Sequence, residues 1–218
     1  MQTTFPLKQI RKLLKTARDR FDPVDIHIDD HFAITYASPD FLLPTFDKLR
    51  LKPGWSLIAH RFAPGHGPVY AYPTNRPLPE FYDGLIEDPW STWEPEAPAQ
   101  AQPPMTAITG PGTPLSFLQA SLLARELGAV IDGWDAHELY GGEPLSPDWT
   151  WHASRPGSYN PTITRDDLGT AVSFYSRSYH DIFLHCDTYP ANGGYWCTPH
   201  ITTIASRPKS QPETAGHA

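Results

Sequence analysis

The sequence predicts an α+β fold, with two main helices packed on an antiparallel sheet and a β-meander toward the C-terminal end. Three observations carry this. Two stretches place apolar residues at helical spacing, and several others alternate apolar and polar residues between turn-forming clusters. The 25 prolines limit helix content and imply many turns. The chain has 218 residues, 39% hydrophobic and 12% aromatic, so it can bury a core without disulfides or metal.

The first helix is read over residues 5–20. Leu7, Ile10, Leu13, Leu14, Ala17 and Phe21 recur near helical spacing, and basic residues fill the other side. Pro6 suits a first-turn position and Pro23 stops the helix. Residues 24–38 switch to period two and read as a hairpin turning near Asp30-His31. Ser56–Phe62 and Val69–Tyr72 form a second hairpin around Pro64–Gly67. A second helix begins after Thr113 as N-cap and Pro114 at the first position, runs from Leu115 to Leu127, and is ended by Gly128. It is apolar nearly all round, apart from Gln119, Arg125 and Glu126. Strands over 160–165, 170–177, 181–188 and 195–205 make the meander.

These readings divide the chain into a helix-plus-hairpins lobe (1–93) and a Pro/Ala-rich linker or loop (94–113). A helix-plus-meander lobe (114–206) and a mobile tail (207–218) follow.

The net charge is −7, which argues against general nucleic-acid binding. It is uneven. Residues 1–52 carry nine Lys or Arg against seven Asp, while the remainder is strongly acidic. The basic helix face, with Arg11, Lys12 and Lys15, is either a contact for a partner, expected to be another protein, or a solvated face docked on the chain's own acidic body. The opening residues lack the apolar stretch of a signal peptide, and no 18-residue apolar run occurs. With two cysteines, the expected compartment is the reducing cytoplasm.

Several clusters invite chemistry. His185, Cys186, Asp187, Cys197 and His200 have the spacing H-C-x10-C-x2-H, without the paired-cysteine knuckle of a zinc site. A symmetric turn would set Cys186 opposite Cys197, on one face with Leu184 and Ile201, and place His185, Asp187, His200 and Thr202 on the other. Two core thiols fit this better than a disulfide or zinc. His27, Asp29 and His31 would share a face of a straight strand and could ligate zinc or another divalent metal. A polar hairpin turning at Asp30-His31 is favoured over that metal site. Asp132, Asp135, His137 and Glu138 read as surface acidity. Gly110-Pro111-Gly112 could cradle an anion at the second helix, though a turn and cap explain it. Trp90, Trp93, Trp134, Trp149 and Trp151 could form a stacking platform or staple loops onto the core.

Pro199-His200-Ile201-Thr202 resembles the second H-x-T motif of the two-histidine phosphoesterases, and His152-Ala153-Ser154 is the other H-x-S/T in the chain. The resemblance implies a pair of imidazoles as general acid and base, with Thr202 and Ser154 holding a phosphate. The motifs lie only 48 residues apart, closer than that family's. The segments GPGTPLSFLQASLLARELGAVIDGWDAHEL and VSFYSRSYHDIFLHCDTYP resemble uncharacterised bacterial proteins, cyanobacterial ones among them. That implies a bacterial source and a folded unit in the second half. The functional expectation is a non-enzymatic accessory or binding protein, with a small hydrolase, metal-dependent or phosphoesterase-like, as the alternative.

Overall fold

A computed structural model describes residues 1–19, 35–37, 39–61, 69–75, 100–132, 138–191 and 194–208. The hairpin read over 24–38, apart from 35–37, lies outside them, as does the turn at 64–67 and all but the first two residues of the 207–218 tail. In chain order the elements are β1 (Gln2–Thr4), α1 (Leu7–Arg18), β2 (Thr35–Ala37), a 3-10 stretch Pro39–Thr45, β3 (Arg50–Leu51), β4 (Trp55–Arg61) and β5 (Val69–Pro73). A 3-10 turn Pro104–Ala107 leads to β6 (Ile108–Thr109), α2 (Pro114–Asp132), β7 (Glu138–Leu139) and β8 (Thr150–Trp151). The meander is β9 (Thr162–Arg165), β10 (Gly169–Arg177), β11 (Asp181–Pro190) and β12 (Thr198–Ser206).

The fold is α+β as read. The large sheet has the order β1-β9-β10-β11-β12-β8, with β7 paired to β10, and every pairing is antiparallel. The hairpin β4–β5 carries β2 on its outer edge, and β3 pairs with β6. The described part of the Pro/Ala-rich stretch is packed into the body. Gln102 bridges to Ala71, and Met105, Ala107 and Ile108 are buried in the same cluster as α1 and α2.

α2 is the central helix. Leu118, Leu123 and Leu127 are fully buried, each contributing roughly 1.5–3 kcal/mol of burial. It continues through Gly128 to Asp132, beyond the stop read from the sequence. A glycine in a helix interior disfavours the helix by only about 1 kcal/mol, which the packing of Leu122, Leu123 and Leu127 outweighs. Thr113 caps it as read, its Oγ1 accepting from the Ser116 N–H at 3.3 Å. Gly112 N–H donates to Tyr195 Oη at 2.9 Å, so the Gly-Pro-Gly segment has spent that donor within the fold.

Strand alternation gives the sheet two unlike faces. Val172, Phe174 and Ser176 of β10 pair with Asp187, His185 and Phe183 of β11, and this face meets α2. Tyr175, Ile182 and Leu184 point the other way and join a second cluster with Tyr140, Trp149, Ile204 and Ala205. That cluster is roofed by the segment 140–159.

Candidate functional site

The α2 face holds a buried polar group of four residues. Arg125 donates from both terminal nitrogens to Asp187, at 2.6 and 2.9 Å, and Asp187 is fully buried. The same guanidinium donates to Nδ1 of His185 at 3.0 Å and to the Ser121 carbonyl at 2.8 Å. Phe174 stacks on the His185 ring at 4.7 Å, and Arg125 lies over the Phe174 ring, also at 4.7 Å. Nε2 of His185 is 2.7 Å from the buried Ser176 hydroxyl.

A guanidinium only donates, so Nδ1 of His185 accepts and the ring hydrogen sits on Nε2. That hydrogen points at Ser176 Oγ. A serine nucleophile needs an accepting nitrogen there, and His185 presents an N–H instead. The cluster is a satisfied polar core, in which Arg125 is the cation that the imidazole and carboxylate already hold.

The zinc geometry read from the sequence is corrected by the strand register. Cys186 lies opposite His200, not Cys197, so the pairing is shifted by three residues from the one a symmetric turn would give. The odd shift in register exchanges faces. His185 and Asp187 are buried beside α2 rather than solvated, while His200 and Thr202 are exposed. Ile201 is 54% exposed instead of buried. Cys186 and Cys197 are both free thiols. Burial, reinforced by the charge of Asp187, pushes the Cys197 thiol up from its ordinary value.

The other sequence candidates scatter. His27, Asp29 and His31 lie outside the described residues, with Asp135, His137, Trp90, Trp93 and Trp134. His152 is exposed and its Nε2 is 2.7 Å from Ser206 Oγ; Ser154 is exposed beside it. The His152 N–H meets the Ile204 carbonyl, four residues along β12 from His200, a separation of about 13 Å along a strand. On α1, Arg11 donates to the Leu139 carbonyl at 2.6 Å and pairs with Glu143. Lys15 pairs with Asp19 at 2.9 Å. Arg18 makes a bidentate pair with buried Glu126 at 2.8 and 3.0 Å. Lys12 is exposed, as is Lys8, and no carboxylate pairs with either among the described residues. Arg11 and Arg18 are therefore docked on carboxylates of the body, Lys15 pairs locally at the end of α1, and Lys8 and Lys12 carry exposed charge.

The roofed face of the sheet carries a cleft of about 370 Å³. Tyr140 and Trp149 are buried, Trp151 and Tyr159 are half-buried, and Arg155 and Glu143 complete the lining. Tyr159 sits edge-on to Tyr140 at 4.9 Å and to Tyr175 at 5.3 Å. Gly142 makes this possible. Its φ is +86°, and a Cβ there would stand 2.6 Å from the Tyr159 ring. Arg155 lies over the Trp151 ring at 5.2 Å, and Arg177 over the Trp149 ring at 5.2 Å. Both indole N–H groups are buried and have no acceptor among the described residues. Glu143 is already matched. Burial raises its carboxyl, but the Gly141 N–H and Arg11 outweigh this and hold it below its ordinary value.

A second cleft of about 500 Å³ adjoins the first, sharing Tyr140 and Glu143, and is lined by Arg11, Lys15, Arg18 and Arg177. The basic helix face and the Trp-rich segment, far apart in sequence, thus meet. Nothing in the sequence linked them; the pair Gly141-Gly142 between the two regions was the local signal for a close approach. Among the described residues, no helix is long and apolar enough to cross a membrane. No protein-family model, curated protein or solved structure matches the chain.

Proposed function

We propose that the chain is a non-enzymatic accessory protein of the bacterial cytoplasm that binds a partner protein over the groove formed by the two adjoining clefts. The observation that supports this reading is their contiguity: Tyr140 and Glu143 belong to both, so aromatic rings and the α1 cations form one lined surface. Interface anchors are enriched in Tyr, Trp and Arg, the residue types gathered here. Lys8 and Lys12 add exposed cations on the same helix. The tautomer of His185 counts against its pair with Ser176 as a hydrolytic centre.

A photo-crosslinking residue placed at Lys12 or at Arg155 tests the proposal in cells, with the same residue at Lys52, on another part of the surface, as control. The expected result is one protein adduct common to Lys12 and Arg155 and missing at Lys52. Identical adducts at all three positions, or none, would remove the groove as the binding surface. Assay of cyclic phosphate and aryl ester hydrolysis tests the enzyme reading. Turnover that disappears in both His200→Ala and His152→Ala would replace the binding proposal with catalysis.

A further inference from the structure

The Trp149–Trp151 cleft has a chemistry distinct from the rest of the groove, and this inference rests on the reading that the groove binds. Its walls are flat rings, and its volume of about 370 Å³ lies in the range of small-ligand sites. Its nearest carboxylate, Glu143, is neutralised by Arg11 and the Gly141 N–H. Asp148 lies farther along the same loop and accepts from Ser146. The Arg155 guanidinium has no carboxylate partner among the described residues and rests on the Trp151 ring. Arg177, whose guanidinium lies over the Trp149 ring, has none either. Trp149, only 8% exposed, and Trp151 each keep a buried N–H with no acceptor among the described residues. The unspent groups at this place include two indole donors and two guanidinium cations, set among π-faces.

We propose that this cleft binds a small, flat organic anion, its ring lying against the Tyr159 and Trp151 rings and its carboxylate or similar acidic group directed to Arg155. A modest ring rotation on binding would bring an indole N–H onto an acceptor of the ligand, relieving a donor that is otherwise orphaned.

The test follows the tryptophan indole N–H signals of the full chain by two-dimensional proton–nitrogen NMR, with Trp149→Phe and Trp151→Phe assigning the two peaks. Three probes are titrated: naphthoate, its neutral alcohol isostere naphthalenemethanol, and acetate. The expected result is a saturable shift of both peaks with naphthoate, and at least ~5-fold weaker binding of the alcohol, equivalent to losing one modest ionic contact. Arg155→Gln, a change at an exposed side chain, should weaken naphthoate by a similar factor, and Arg155→Lys should restore part of it. Equal affinity for naphthoate and the alcohol, unaltered in Arg155→Gln, overturns the anion inference while leaving the cleft a binding site. The same shifts with acetate overturn the requirement for a flat face. Saturable movement with none of the three overturns both this inference and the cleft's part in the groove.

Discussion

The two faces of the large sheet treat polar groups in opposite ways. Against α2, buried polar side chains are paired: Asp187 and His185 with Arg125, Ser121 with Tyr189 at 2.8 Å, Gln119 with Asp47, and Glu126 with Arg18. Under the 140–159 segment, two indole donors are buried with no acceptor among the described residues, beside a cleft. An unmet buried donor costs about 1–3 kcal/mol, so the second face is held at some expense that the first avoids. The difference separates a face whose buried polar groups are paired from one that leaves two buried indole donors unpaired among the described residues.

The contrast can be broken most severely at Arg125. Replacing it with Leu leaves Asp187 buried and unpaired and should lower stability by ~3–5 kcal/mol in urea unfolding. Adding Asp187→Leu should recover a large part of the loss, because removing both charges avoids the stranded one. A double variant as unstable as the single would show that the pair is not the unit. On the opposite face, Gly142→Ala meets both a positive φ and the Tyr159 ring, and should cost about 1–3 kcal/mol with changed indole signals at the cleft. Ser121→Ala and Trp149→Phe compare the faces directly. The first takes the shorter of two bonds from the Tyr189 hydroxyl, leaving the one to the Phe117 carbonyl at 3.4 Å, and should cost ~1–1.5 kcal/mol, while the second deletes an unsatisfied donor and should lie within about 1 kcal/mol of the parent. Equal losses in both would erase the distinction.

The smallest effect is at Glu143. Its carboxyl is held below the ordinary value in the folded chain, so its contribution is full above the ordinary Glu range and fades as pH falls through the lowered value. The side chain is 43% exposed, so solvent screening keeps this under about 1 kcal/mol. Glu143→Gln should flatten that portion of the stability–pH curve, and an unchanged acid limb would assign it to other carboxylates such as Asp47, also lowered by its bonds to Lys48 and Gln119.

Much of the architecture was legible because its signals are local. Period-two runs gave the meander strands to within a few residues, and Thr113-Pro114 gave the start of α2. The end of α2 was not, since Gly128 punctuates only where packing does not override it. Facing in the β11–β12 pair was lost to the length of one connection, which no propensity encodes. Residues 198–203 are exposed on both faces, so their alternation carried no inward signal at all. Arg125 stood out as a polar residue on an apolar helix, yet its partners lie 60 and 62 positions away. The cleft was half legible. Trp149 and Trp151 were visible as a possible platform and Arg11 as a basic surface, but only the fold joins them.

The first strand has a consequence for how the chain comes to be folded. β1 pairs Gln2, Thr3 and Thr4 with Thr164, Ile163 and Thr162, across some 160 intervening residues. At synthesis rates of about 5–20 residues per second, its partner emerges on the order of ten seconds or more after it does. Throughout that interval the opening segment has no sheet to join. Closure of that edge is a late event, and its long loop makes the domain one in which non-local pairing sets the pace.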